Sequence, residues 1–468
     1  MEVVAENSNA ANSCVAERGF VLPIPPASVV QPRTADEVVE IVRAANASGT
    51  PLVPMSSGPS HFHGGTVPSV PGAALVDLRT MNRILRVDRR NRMAVIEPGV
   101  TWRQLQAQLA EDGMRVTMPL LPRANKSVIA SLLEREPTLI PRYQYSLIEP
   151  LRNCGVVWGS GMLSYTGEAG GSSYSLEEQW AQGGRQLDPK GPAQTDFVRF
   201  VTGAQGSMGI VVWASVKCEL VPAEHKLFSV SASELEDLVD LTYRLTRLRL
   251  GDETFIVNRA RLAQMLSGDA SAYPAWTLIV GIGGRALLAE DRVSVQEADF
   301  REVVGGFGLP VEDGLREVPH DAAVNLIHGF AGEPHWRLRC GGGCQDVFFL
   351  TTLNRTPEFV ACMRNCAEAW QYPLADLGVY IQPQHQGVEY HCEFTLPHRT
   401  DDRETTRVRE LHERASEELI ARGAYFSRPY GTWATLVYNR DAQSTEALRK
   451  VKRIFDPNSI MNPGKLCF

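Results

Sequence analysis

No stretch of this 468-residue chain is long and apolar enough to cross a bilayer, which takes about 18–20 apolar residues in a row. The opening MEVVAENSNAANSCVAERGF lacks the basic start and apolar middle of a secretory leader, so none is expected. Positive charge is in short supply. Lys and Arg number 47 against 54 Asp and Glu, a net charge of −7, which argues against a general nucleic-acid binder because phosphate backbones need a basic surface. Closely spaced cysteine ligands are missing too. The 9 cysteines are odd in number and scattered, as reduced thiols of a cytoplasmic protein are. Cys340 and Cys344, and Cys362 and Cys366, stand four apart, not at the C-x-x-C spacing of common zinc and iron–sulfur sites. Buried thiols and a glycine turn are the expectation for them. What is present, 44% hydrophobic and 22% charged residues, is the composition of a globular protein, and the length calls for two or three domains.

The most informative stretch is PLVPMSSGPSHFHGGT, Pro51 to Thr66. A short apolar strand through Pro54 stops at Ser56, Ser57, Gly58, Pro59, Ser60, His61, Phe62, His63 and Gly64, and a second strand follows at Ala73–Leu78. A Gly-Ser loop leaving a strand lets backbone N–H groups converge on an anion. Before it, Thr34 and Glu37 form a capping box for a helix whose Val38, Ile41, Val42 and Ala45 share one face. After it, Arg92–Ile96 reads as a strand ending at Pro98-Gly99, and Trp102, Leu105, Leu109 and Ala110 as a helix closed near Gly113.

Two further segments stand out, the glycine-rich Thr202-Gly203-Ala204-Gln205-Gly206-Ser207-Met208-Gly209-Ile210-Val211 and, at the C-terminal end, Phe455-Asp456-Pro457-Asn458-Ser459-Ile460-Met461-Asn462-Pro463-Gly464-Lys465. In this order the three segments resemble the vanillyl-alcohol oxidase/p-cresol methylhydroxylase superfamily, the FAD-linked oxidases. The resemblance implies an α+β protein: a two-lobed FAD-binding domain over residues 1–222, a ferredoxin-like α+β substrate (cap) domain over 223–412, and a C-terminal segment, 413–468, returning to the first domain. It implies FAD held by the loop from Pro54 to Gly64, by Pro119, by Gly203, Gly206, Ser207, Gly209, Ile210 and Val211, and by Asn462 and Lys465. Ser127 and Ser131 stand where the family carries a Gly-Gly pair. They are candidates for hydrogen bonds to the cofactor, against the plainer reading of a helix N-cap and a helix-surface serine. Noncovalent FAD is the default, with His61 or His63 as sites for a covalent link. The long polar stretch from Thr166 to Pro192 reads as a lid or an interaction loop.

The substrate side falls to two clusters. In the first, strand alternation puts Tyr380 and Gln382 on one face, and His391 and Glu393 on one face of the next strand. The second holds Arg428, Tyr430 and Tyr438. Arg428 suits a carboxylate or phenolate, the tyrosines a hydroxyl, and His391 a general base. The 2-hydroxy-acid branch of the family carries metal-binding histidines and a Glu-His-Gly segment. Here His385 and His391 are present but that segment is missing, with Ser427-Arg428-Pro429-Tyr430-Gly431 near its place, so no metal is assigned. The main expectation is an FAD-dependent oxidation of a small alcohol or alkylphenol-like substrate by hydride transfer to flavin N5. The alternatives are a glycolate- or D-lactate-like 2-hydroxy-acid dehydrogenase passing electrons to an iron–sulfur subunit, and a non-catalytic flavin-fold subunit of a larger redox complex. Expected partners are the small-molecule substrate and further subunits of a homo- or hetero-oligomer, with no nucleic acid.

Overall fold

The computed structural model describes residues 3–5, 18–20, 24–139, 146, 148–166, 175–181, 183 and 197–468. Most of the polar stretch between Thr166 and Pro192 lies outside these residues. The first lobe starts from the helix Ala35–Ser48. Thr34 Oγ1 accepts from Glu37 N at 3.2 Å, and Glu37 Oε2 accepts from Arg33 N at 2.9 Å. The buried face is Val38, Ile41, Val42 and Ala45, and Gly49 ends the helix at φ 70°. Its neighbour is a four-stranded sheet in the order Val3–Ala5, Ser28–Val30, Ala74–Asp77, Leu52–Met55, the last three mutually parallel. The N-terminal residues Val3–Ala5 thus add an edge strand, antiparallel to Ser28–Val30.

The second lobe is a five-stranded antiparallel sheet, in the order Ile84–Asp88, Met93–Ile96, Gly209–Lys217, Leu151–Trp158, Leu163–Tyr165. Helix Trp102–Glu111 and the short helix Val128–Leu133 pack in its core.

Residues 224–399 build a seven-stranded antiparallel sheet. The order is Val311–Asp313, Glu224–Ala232, Trp276–Gly284, Thr254–Asn258, Gly378–Gln384, Glu389–Arg399, Gly342–Thr351. Helices Glu236–Leu248, Ala289–Gly305, Thr356–Ala369 and Asp402–Ala421 cover one face, packing Leu238, Phe300, Phe359 and Leu411 on Ile256, Ile381 and Phe394. Because side chains alternate along a strand, the residues between these, Phe255, Val257 and Tyr380, face the other way, toward Leu121 and Leu139 of the first half of the chain. That second face forms the site.

Helix Asp402–Ala421 is continuous and belongs to the helix layer of this sheet, so a boundary at residue 413 would cut it. Helix Thr432–Tyr438 still packs there, with Trp433 Nε1 donating to Ser416 Oγ at 2.7 Å. The return to the first half is helix Ala442–Phe455, whose Phe455 stacks on Trp158 at 4.1 Å between ring centres.

One buried charge pair fixes that return. Lys452 Nζ donates to Asp456 Oδ2 at 2.5 Å, to Met461 O at 2.9 Å and to Ser207 O. Asp456 Oδ1 and Oδ2 accept from Ile460 N and Met461 N at 3.1 and 2.9 Å. Gly159 is required beside it, since a Cβ there would lie 2.5 Å from Asp456 Cβ. Removing one partner of a buried pair costs about 3–5 kcal/mol. Asp456→Ala is therefore expected to lower the denaturant midpoint by a corresponding amount. An unchanged midpoint would show that the pair does not hold the C-terminal segment.

Candidate active site

The two glycine-rich segments and the C-terminal one meet at one place. Asn462 Nδ2 donates to Gln205 O at 2.6 Å and to Gly65 O at 3.1 Å, and Lys465 Nζ donates to Gly64 O at 2.8 Å. Gly206, at φ 71°, lies so close to Pro54 that a Cβ would fall 2.4 Å from its Cγ. A cavity of about 230 Å³ opens beside this junction. Pro54, Ser56, Ser57, Ser60, His61, His63 and Pro119 line it, as do Gly203, Gly206, Gly209, Ile210 and Val211. Asn462 is fully buried, yet its Oδ1 has no hydrogen-bond partner. A buried acceptor left open beside a Gly-Ser loop suits a large polar cofactor.

Other expected cofactor residues brace the loop from behind. Gly58 O accepts from Arg123 Nη1 at 3.2 Å, and Gly64 O takes the Lys465 ammonium. Gly58, Pro59 and Gly64 carry the loop's turns, and only their neighbours reach the cavity. Ser207 is buried and donates to Ala204 O at 2.6 Å. Ser127 and Ser131 require correction. Ser127 Oγ accepts from Ala130 N at 3.0 Å as the cap of helix Val128–Leu133 and donates to Pro98 O at 2.6 Å. Ser131 Oγ accepts from Trp102 Nε1 at 3.0 Å and donates to Glu136 Oε2 at 2.6 Å. Both are buried and spent on the protein itself, so neither faces the cavity.

On the substrate side Tyr380, Arg428 and Tyr430 line the cavity. The Arg428 guanidinium lies 4.0 Å from the centre of the Phe348 ring, is 6% exposed, and donates to a neutral carbonyl, Glu134 O, at 3.3 Å. Among the described residues no carboxylate pairs with it. Tyr430 stacks on His63 at 4.8 Å, and burial holds its phenol far above the ordinary range, so it stays protonated. Burial, with the charges of Arg428, Lys126 and Arg337, drives His63 down to about 3, leaving a neutral imidazole.

Gln382 and His391 share the site-facing side of the sheet with Tyr380, as alternation requires, but neither lines the cavity, because both are covered by neighbours. Gln382 accepts from the Tyr380 hydroxyl and donates to Thr138 O at 2.7 Å. His391 Nε2 is 3.0 Å from Glu393 Oε2. Tyr438 lies outside the lining, at the end of its helix, where its carbonyl accepts from Thr445 Oγ1 at 2.8 Å. His385 lies on a half-exposed turn 3.9 Å from Glu389, away from the buried His391–Glu393 pair. Gly341 and Gly342 turn the chain at φ 120° and 90° between exposed Cys340 and buried Cys344, and Cys362 and Cys366 are buried in helix Thr356–Ala369.

The sequence reading missed the charged wall. Arg261 and Arg337 stand 4.2 and 4.5 Å from the Trp336 ring. Both donate to Glu393 Oε1, at 2.9 and 3.0 Å, and Arg337 Nε lies 2.9 Å from Asp346 Oδ2. Lys126 Nζ bonds Glu134 at 2.5 Å and Glu136 at 2.7 Å. Burial would raise Glu136, but Lys126 outweighs it and holds the carboxyl at about 2. Asp346 and Glu393 are charged residues inside apolar strand runs, Val347-Phe348-Phe349 and Cys392-Glu393-Phe394, and that contrast was the available signal.

These features define an FAD-linked oxidoreductase. The sequence matches the FAD binding domain family over residues 26–133 and the C-terminal domain of the FAD linked oxidases over 432–466. It is 25% identical to the D-2-hydroxyglutarate dehydrogenase of Stutzerimonas stutzeri (strain A1501), over 94% of this chain and 91% of that one. It is 24% identical to the flavoprotein subunit of the hydroxylating 4-cresol dehydrogenase of Pseudomonas putida, over 94% and 87%. The fold overlays on a substrate-bound crystal structure of p-cresol methylhydroxylase with a TM-score of 0.82 at 18% identity, covering 100% of this chain and 93% of that one. The FAD binding domain and the C-terminal domain of the FAD linked oxidases, with these relatives, support a p-cresol methylhydroxylase-type FAD oxidase family, with FAD as the cofactor.

Two carboxylates share Arg337, and their surroundings push them apart. Burial raises both, but Glu393 also has Arg261 and the His391 hydrogen bond and is held well below the ordinary range, whereas Asp346 is raised to about 6. As pH rises through about 6, Asp346 gains negative charge at the cavity wall. Benzoate, an anion on both sides of that pH, is expected to bind more weakly one unit above than one unit below, read by flavin absorbance. Asp346→Asn should remove the dependence, and a slope that survives this substitution would assign it elsewhere.

Proposed function

We propose that this oxidoreductase dehydrogenates a 4-alkylphenol or a small alcohol of similar shape. The observation that carries the reading is Arg428, a buried guanidinium whose hydrogen bond goes to a neutral carbonyl. Among the described residues no carboxylate accepts a hydrogen bond from it, and a buried guanidinium short of acceptors is costly, so the wall is complementary to an acidic oxygen brought by the ligand. Arg428 would hold the phenolic oxygen, with the protonated Tyr430 hydroxyl as a second donor. Tyr380, tied to Gln382, and Phe348 would flank the ring. FAD, held noncovalently by the loop Ser56–Gly65, by Gly203–Val211 and by Asn462 and Lys465, supplies a two-electron acceptor for the benzylic hydride. The similarity to the 4-cresol enzyme supports this substrate class.

A second reading rests on the similarity to D-2-hydroxyglutarate dehydrogenase. Here the acidic oxygen on Arg428 belongs to the carboxylate of a 2-hydroxy acid, and the electrons pass to an iron–sulfur subunit. Either enzyme would work in the cytoplasm as part of an oligomer.

Turnover of 4-alkylphenols and of D-2-hydroxy acids with an artificial electron acceptor separates the two. The expected result is phenol turnover that Arg428→Ala reduces about a hundredfold in kcat/KM, the ~2–3 kcal/mol of a hydrogen bond to a charged group. Flavin content should be unchanged, and acid precipitation should release the flavin into the supernatant. Turnover of hydroxy acids alone would select the second reading. Loss of flavin from Arg428→Ala would make Arg428 a cofactor anchor and remove the support for both.

A further inference from the structure

Outside the cavity, the seven-stranded sheet carries another set of ligand-type side chains. His225 lies in strand Glu224–Ala232, Glu253 directly precedes strand Thr254–Asn258, and His328 ends helix His320–His328. Strand Trp276–Gly284 runs between the first two, pairing His225 with Gly283, while Gly281 N donates to Glu253 O at 2.8 Å. One ligand atom from each of the three side chains lies within 4.8 Å of the others. His225 Nε2 is 3.0 Å from Glu253 Oε2, and the two imidazole rings meet edge to face at 4.8 Å. Glu253 is 1% exposed.

Two observations distinguish this group from a chance cluster. The strand between has a glycine where the side chains converge. A Cβ on Gly281 would fall 2.2 Å from Glu253 Oε2 and 2.9 Å from His225 Nε2, so the space exists because that residue has no side chain. In addition, His328 Nε2 is buried and has no hydrogen-bond partner. The protonation states also suit ligands. Burial would raise Glu253, but the His225 hydrogen bond and the Arg115 charge outweigh it and keep the carboxylate ionised. Burial drives His328 down to about 4, so its imidazole is neutral near pH 7.

We propose that His225, Glu253 and His328 bind a divalent transition-metal cation of the zinc type. Two imidazoles and one carboxylate form a donor set suited to such ions, and a fourth position is left for water. Glu253 Oε2 and His225 Nε2 already stand together, while Oε1 is 3.2 Å from Arg115 Nη2. Arg115 Nη1 is also 3.2 Å from His328 Nδ1. With Nδ1 accepting from Arg115, the neutral His328 imidazole carries its proton on Nε2, so a cation bound through either nitrogen breaks the Arg115 bond. Arg115 belongs to the two-residue strand Met114–Arg115, so its bonds join the first half of the chain to the seven-stranded sheet. The bound ion would take over from Arg115 as the main charge opposite Glu253.

The test is calorimetric titration of zinc into EDTA-stripped full-length holoenzyme, with Cys340→Ser throughout so that the exposed thiol does not compete. The expected result is one equivalent bound, with the dissociation constant raised at least tenfold by His328→Ala and by His225→Ala. Flavin absorbance and circular dichroism identify variants that keep their fold, and His328→Gln replaces either alanine variant that does not. No binding at millimolar zinc, or an affinity that the histidine variants leave unchanged, overturns the proposal.

Discussion

Asn462, fully buried at φ 39°, donates through one amide nitrogen to two carbonyls, Gly65 O and Gln205 O. These carbonyls belong to loops that share no strand, and the bridge ties them together beside the contact of Gly206 with Pro54. The bridge lies 397 residues from the first and 257 from the second, so loop spacing is set when the chain's end is in place. Lys452 and Asp456 set Asn462 in turn. The Lys452 ammonium bonds Ser207 O in the second loop and Met461 O beside Asn462. A cofactor site built from backbone turns needs such clamping, because a loop's own hydrogen bonds leave it free to shift as a body.

The substrate wall depends on a different constraint, the cost of burying charge. Arg261 and Arg337 flank Trp336 and share Glu393, and Asp346 completes a group of two cations and two acids on one face of the sheet. Lys126 is likewise answered by Glu134 and Glu136. Within these groups each cation is hydrogen-bonded or ion-paired to carboxylates of the protein, which fixes the wall's shape. Arg428 is the contrast: its guanidinium rests on Phe348 and a carbonyl, so its field reaches the cavity. Among the described residues Arg428 hydrogen-bonds no carboxylate, unlike Arg261, Arg337 and Lys126.

The sequence reading reached the local rules and stopped at the tertiary ones. The Thr34–Glu37 cap and the Val38, Ile41, Val42, Ala45 face stand as expected, since both are set within one helix. The two glycine-rich segments were legible because each must make a tight turn or a close approach wherever it lies. Strand alternation separated Tyr380 from Ile381, but it could not tell that Gln382 would be covered by Thr138 O, which comes from the other half of the chain. Ser127 and Ser131 show the same limit. A serine before a helix reads as a cap or a ligand, and only the approach of Pro98, Trp102 and Glu136 decides it. Arg261, Arg337 and Asp346 come from a helix, a short turn of helix and an edge strand, and no local period links them.

The same sheet explains why one face carries chemistry and the other does not. Its helix-covered face packs Ile256, Ile381 and Phe394 under four helices and has no room for a polar group without a partner. The opposite face meets the first half of the chain, whose loops supply carbonyls such as Glu134 O and Thr138 O. Arg428 and Gln382 meet such acceptors there, and Arg261 and Arg337 meet carboxylates of the sheet itself. A substitution that turns a strand residue from one face to the other would therefore do more than misplace a side chain. It would bury a guanidinium or a carboxylate among aliphatic residues, which is why the register of strands Gly378–Gln384 and Glu389–Arg399 and the chemistry of the site are a single property of the fold.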